Sequence, residues 1–250
     1  IFIILLINLI HVILCVNESL RLGTLMEQSH TAEYQFILYN SQIALNVLVI
    51  IVFPIALSLV FSDTSWLDNK NKTINLLYTR LNCRKNIFVR FCLSIVVAFI
   101  VSLLGFLFNY LLLRIIYGSG NNVTHFQSLP FYLESNSSWF LDGLRLANPT
   151  IFVITISFTV SILLGLLSGI SYLCSFFVNQ RVIIYFIPLI FLILTELVFP
   201  IIGLHNISFI SMLQPFSQFS IHDYIIGIII LLTVILGLLT IVLRKKDVLV

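Results

Sequence analysis

Charge is what this 250-residue chain has least of. Asp, Glu, Lys and Arg together make up 9 % of it, against about 25 % in soluble globular domains. So few charged side chains cannot cover the surface of a fold in water, which excludes a soluble domain. Cysteine is scarce as well. Cys15, Cys83, Cys92 and Cys174 form no CxxC pair and have no metal-like spacing to histidine, so neither a disulfide framework nor a zinc centre is expected. Thiols in or beside apolar runs behave as small hydrophobes. No GxxxxGK[ST] loop occurs, and none of the ten glycines precedes a lysine, which excludes nucleotide binding of that kind. HExxH, GxSxG and paired-aspartate motifs are missing too, and a membrane-embedded enzyme would need such convergent groups. The net charge of +3 is too small to suggest nucleic-acid binding.

What is present is apolar. Hydrophobic residues make up 60 % of the chain, and long runs of them predict an all-α membrane protein with a single transmembrane domain over residues 1–250. Six spans are expected: about 1–16, 37–61, 91–113, 151–177, 182–203 and 224–243. The first is short for a crossing of about 20 residues. The chain opens on Ile1 rather than methionine, so residues are expected to precede it. A signal peptide over 1–16 is disfavoured, since it lacks a basic start and a small-residue cleavage site.

Alternating the spans sorts the charge. With the loop 62–90 on the cytoplasmic side, Arg181 and the tail Arg244, Lys245 and Lys246 join it. Ten of the thirteen basic residues then face inward and only Arg21, Arg114 and Arg145 face outward, as the positive-inside rule requires. Both termini are expected in the cytoplasm. Between spans five and six, "GLHNISFISMLQPFSQFSIHD" (203–223) is apolar but too broken to cross. It is expected to form a re-entrant or interfacial hairpin at the outer face, where irregular backbone must be buried in protein.

Six of the basic residues are concentrated in "DNKNKTINLLYTRLNCRKNIFVR" (68–90): Lys70, Lys72, Arg80, Arg84, Lys85 and Arg90. Within it Ile74, Leu77, Tyr78 and Leu81 fall at i, i+3, i+4 and i+7, which predicts a short amphipathic helix. Thr73 or Asn71 could supply its N-cap. Two readings of the stripe are open. One is a helix lying on anionic membrane lipid; the other is a docking helix whose apolar face fills a partner's groove while its basic rim steers the encounter.

The stretch "WLDNKNKTINLLYTRLNCRKNIFVRF" (66–91), the broken segment 203–223 and the terminal "LRKKDVLV" (243–250) resemble ABC-2-type transporter permeases, the membrane subunits of ABC exporters. The chain is similar to the small six-span bacterial permeases of bacteriocin or lantibiotic immunity and antimicrobial-peptide export. The resemblance implies a coupling helix around 69–82, bearing Asp68, Lys70, Lys72, Ile74, Leu77, Tyr78, Arg80, Leu81, Arg84 and Lys85. It would rest on a separate cytoplasmic ATP-binding cassette subunit that holds ATP and Mg, with no cofactor on this chain. A basic hinge would pass the motion into spans two and three. Two permease copies, identical or related, would face each other in the bacterial cell membrane. The family's Glu and Gly-Thr pattern before the helix and its proline near the helix end are replaced here by "DNKNKT" and "LNCRKN", which leaves subfamily and substrate open.

Other polar residues need their own account. Glu196 is the acid deep in a predicted span. An intramembrane carboxylate suggests proton coupling or a cationic substrate, which would make the chain an ion-coupled carrier or channel. The plainer reading is a carboxylate hydrogen-bonded to backbone of the outer hairpin. His11 in the first span has only Asn8, at i−3, as a foreseen partner, and is expected to be a packed histidine rather than a ligand. His30 and Glu33 are too few for a metal site and are expected to be solvated. Gly165 and Gly169 in "GLLSG" form a small-xxx-small pattern that lets another helix approach, within the bundle or at a subunit contact. Pro54 and Pro188 are expected to kink spans two and five.

Overall fold

The structure, a computed structural model, describes residues 2–22, 32–33, 36, 38, 43–70, 83–117, 141–178, 180–204, 207–213 and 220–247. Among these residues it is helical, with no strand. The helices are α1 (Phe2–Leu22), α2 (Ile43–Phe61), α3 (Thr64–Lys70), α4 (Cys83–Tyr117), α5 (Asp142–Ala147), α6 (Pro149–Cys174), α7 (Arg181–Ile201), α8 (Phe209–Leu213) and α9 (Ile221–Asp247). Four of them, α4, α6, α7 and α9, are long and apolar enough to cross a membrane. Two further apolar stretches, Phe2–Asn17 in α1 and Ile50–Phe61 in α2, are shorter.

α6 is the hub. It packs against α2, α4, α5, α7, α8 and α9, and its seam with α4 is the most extensive in the molecule. Asn148 and Pro149 start it: the Asn148 side chain accepts the Ile151 N–H at 3.3 Å and the proline stands at the first helical position, where its missing N–H costs nothing. Small residues close the seam. A Cβ added at Gly165 would lie 3.0 Å from the Ile95 carbonyl oxygen, and one at Gly169 would lie 2.8 Å from Ile95 Cγ1. The GLLSG pattern thus serves a contact within the chain. Ser94 and Ser168 meet at 3.1 Å across the same seam.

Side-chain contacts fix the direction of each helix. Ile4 lies beside Gly105, and Asn8 and His11 beside Asn109, so α1 and α4 run parallel. Phe53 stacks on Phe106 at 5.1 Å, close to the middle of two antiparallel helices, α2 and α4. Ser58 meets Tyr185 and Asp63 meets Arg181, so α2 and α7 are antiparallel. Tyr224 reaches the Thr159 carbonyl, and Leu231 lies level with Leu163 and Leu167, so α6 and α9 are parallel. The apolar helices therefore alternate in direction along the chain.

α4 corrects one expectation. The segment 83–90 is no hinge but the first two turns of an unbroken 35-residue helix. "CRKNIFVR" contains neither proline nor glycine, so nothing in it interrupts the ladder. At 1.5 Å per residue α4 is about 52 Å long, well beyond a hydrocarbon core of about 30 Å. Ahead of the expected coupling helix, Thr64–Lys70 forms a short helix of its own.

The broken stretch 203–223 contains α8. Ile207, Phe209, Met212 and Leu213 are buried, and Phe209 and Leu213 share a cavity wall with Leu163, Leu167, Leu192 and Leu231. The short helix is thus wedged among α6, α7 and α9 near their middles.

Candidate functional site at the charged end of the bundle

The C-terminal end of α2, all of α3 and the N-terminal ends of α4 and α7 meet at one end of the molecule. α2 closes with Ser62 N–H donating to the Ser58 carbonyl at 3.1 Å, and Leu67 N–H then donates to the Asp63 carbonyl at 2.9 Å to begin α3. This tight connection holds Asp63 inside, 5 % exposed. Its carboxylate accepts from Arg181 Nε at 2.7 Å and from the Tyr185 hydroxyl at 2.8 Å. Arg181 Nε also lies 2.5 Å from the Tyr185 oxygen, which closes a three-membered cluster between α2 and α7. Half of the Arg181 side chain is exposed.

A second ion pair lies one helical turn further on, where Asp68 of α3 pairs with Arg90 of α4. Lys70 ends α3 with its ammonium 5.0 Å from the centre of the Trp66 ring, a cation–π contact. Asp63 and Asp68 therefore tie α3 to two different long helices. Arg84 and Lys85, on the first turn of α4, are exposed beside this platform. Of the residues expected on the coupling helix, Asp68, Lys70, Arg84 and Lys85 are brought to this one end. Lys72, Ile74, Leu77, Tyr78, Arg80 and Leu81, like the caps Asn71 and Thr73, lie outside the described residues.

The platform continues inward through hydroxyls. Pro188 has no N–H, so the Ile184 carbonyl one turn earlier loses its helical donor. Ser171 of α6 donates to that oxygen at 2.6 Å. The Ser58 hydroxyl of α2 lies 2.9 Å from the neighbouring Tyr185 carbonyl and 2.7 Å from the Ile55 carbonyl of its own helix, and shares its proton between them. A freed carbonyl in an apolar bundle needs such a donor. Pro188 is thus the point where α6 is hydrogen-bonded to α7. The sequence showed the proline but not its donor, which comes from another helix.

The remaining polar residues lie elsewhere. Glu196 accepts the Ser208 hydroxyl at 2.5 Å and the Ile210 N–H at 3.2 Å. Its carboxylate therefore satisfies first-turn backbone of α8 and fixes that wedge to α7. His11 is fully buried between α1 and α4. Its partners are Asn109, whose amide nitrogen lies 3.1 Å from Nδ1, and Cys15, whose sulfur lies 3.5 Å from Nε2. The expectation that Asn8 alone was available is corrected: Cys15 stands at i+4, a spacing that helix periodicity reveals.

Glu33 also departs from expectation. It is not solvated but 4 % exposed, accepting from the Tyr110 hydroxyl at 2.8 Å and the Thr150 hydroxyl at 3.4 Å. Phe36 packs edge-on against Tyr110 at 6.1 Å between ring centres, and Ala32 and Leu38 are buried nearby in sequence. Glu33 and Phe36 are thus anchored where the C-terminal half of α4 meets the start of α6. His30 lies outside the described residues. Among those residues no group of three His, Cys, Asp or Glu could hold a metal ion, and Cys15, Cys92 and Cys174 are in no disulfide. No family model, curated protein or solved structure matches the chain.

Proposed function

We propose that this chain is the transmembrane permease subunit of an ATP-binding cassette exporter of the ABC-2 type. It crosses a bacterial plasma membrane six times with both termini in the cytoplasm. It moves a hydrophobic or amphipathic substrate, such as an antimicrobial peptide, on energy from ATP and Mg held by a separate subunit, and works with a second permease copy or a related one. Six apolar helices that alternate in direction support the six crossings. The burial of α8 among α6, α7 and α9 supports a re-entrant hairpin.

The observation that carries the reading is the construction of the charged end. Two carboxylates, Asp63 and Asp68, tie the stretch from the end of α2 through α3 to α7 and α4, beside the start of a continuous 35-residue helix. A motor pressing on the segment between Lys70 and Cys83 would meet a braced support. Force would pass into α2 and α7 through Asp63, and into α4 along a continuous helix rather than across a hinge. The engagement of Glu196 with α8 gives that carboxylate a structural task and weakens the ion-coupled alternative.

Purification from its source membrane tests the reading, with an ATP-hydrolysing subunit expected in stoichiometric amount. Leu77→Pro should abolish ATP-driven transport in vesicles while the protein still inserts, since proline breaks a helix at a cost of about 3 kcal/mol or more. Normal transport in that variant would refute the coupling role.

A further inference from the structure

Beside the α4–α6 seam runs a groove of about 190 Å³ lined by Ile95, Val96 and Phe99 of α4 and by Ile162 and Leu166 of α6. Every lining side chain is apolar. The groove exists because Gly165 and Gly169 draw α6 onto Ile95, leaving the larger neighbours Ile162 and Leu166 to splay along the flank. Toward the opposite end it is stopped by Phe99, which Phe158 meets edge-on at 5.3 Å. It opens outward along Val96, 48 % exposed.

Its register with the charged end is specific. Arg84 and Lys85 stand eleven positions before Ile95 and Val96. Eleven residues are close to three turns, so each basic residue lies on the helical face of one wall residue, about 16 Å away along the axis. That distance matches one leaflet of a hydrocarbon core about 30 Å thick. The face between them carries exposed Phe88 and Val89. Basic head, apolar track and closed apolar end follow one another as phosphate, glycerol and acyl chain do in a lipid.

We propose that this groove holds one acyl chain of an anionic phospholipid from the leaflet at the charged end, with the phosphate held by Arg84 and Lys85. The proposal requires α4 and α6 to cross the membrane and does not depend on the export reading. A bound chain would fill the flank of the seam that the glycines leave unpacked, and would place an anionic headgroup on the first turn of α4.

The full chain, reconstituted with phosphatidylglycerol or phosphatidylcholine carrying a diazirine at mid-chain, tests this after irradiation and peptide mapping. Phosphatidylglycerol should label 95–99 and 162–166 well above the exposed residues Leu104 and Leu111 on the same helix. Arg84→Glu with Lys85→Glu should reduce phosphatidylglycerol labelling of the groove at least about fivefold and leave phosphatidylcholine labelling nearly unchanged. Val96→Trp, at an exposed position, should block the groove to both lipids. Equal labelling of Leu104 and Leu111, or a groove signal insensitive to either variant, would overturn the proposal. Efficient disulfide formation between Val96→Cys chains would also overturn it, in favour of a second copy.

Discussion

The two ends of the bundle satisfy their carboxylates in different ways. At the charged end Asp63 meets Arg181 and Tyr185, and Asp68 meets Arg90. In the other half, Glu33 accepts hydroxyls from Tyr110 and Thr150, and Glu196 accepts a hydroxyl and a backbone N–H. Ion pairs suit a surface where one partner keeps its water, as Arg181 does. Hydroxyl and amide donors suit deeper sites, because they satisfy an acid without burying a second charge. The charged end thus joins separate helices through long side chains that can be re-paired. The opposite half is tied by neutral donors, which hold Glu33 to α4 and α6 and Glu196 to α8. A motor-facing surface and a scaffold would be expected to differ in this way.

The contrast can be broken by substitution. Arg181→Leu should give the largest drop in melting temperature of this series, because Asp63 stays buried with the Tyr185 hydroxyl as its remaining described donor. A drop no larger than that of an exposed leucine substitution elsewhere would mean that the cluster does not brace α7. Tyr110→Phe should cost about 1–2 kcal/mol by removing a donor to a carboxylate, measured by thermal unfolding in detergent; no loss would show that the Tyr110 hydroxyl does not hold Glu33 in place. Glu196→Gln should change stability by less than about 1 kcal/mol, since the amide oxygen still accepts from Ser208 and Ile210. Transport in this variant should keep its pH dependence, and its loss would restore the ion-coupled reading.

The sequence was informative where a pattern lies within one helix. Alternating long apolar runs gave the helices, and the GLLSG pattern marked the seam of α6. The continuity of α4 was also legible, since 83–90 offers no helix breaker, and Cys15 stood at the right spacing from His11. Partnerships between helices were not legible. Nothing local links Ser171 to the carbonyl that Pro188 frees, or Asp63 to Arg181 more than a hundred residues away. Glu33 looked like a loop acid because its donors, Tyr110 and Thr150, belong to other elements. Such bonds depend on which helices become neighbours, and a one-dimensional pattern does not carry that information.

Membrane sidedness of the segment between α3 and α4 is the claim on which the motor, the brace and the direction of force all stand. A Lys72→Cys substitution in a chain freed of its four native cysteines, probed with a membrane-impermeant thiol reagent, measures it directly. Labelling in inverted vesicles and protection in intact cells is the predicted result; ready labelling from outside intact cells would contradict the account.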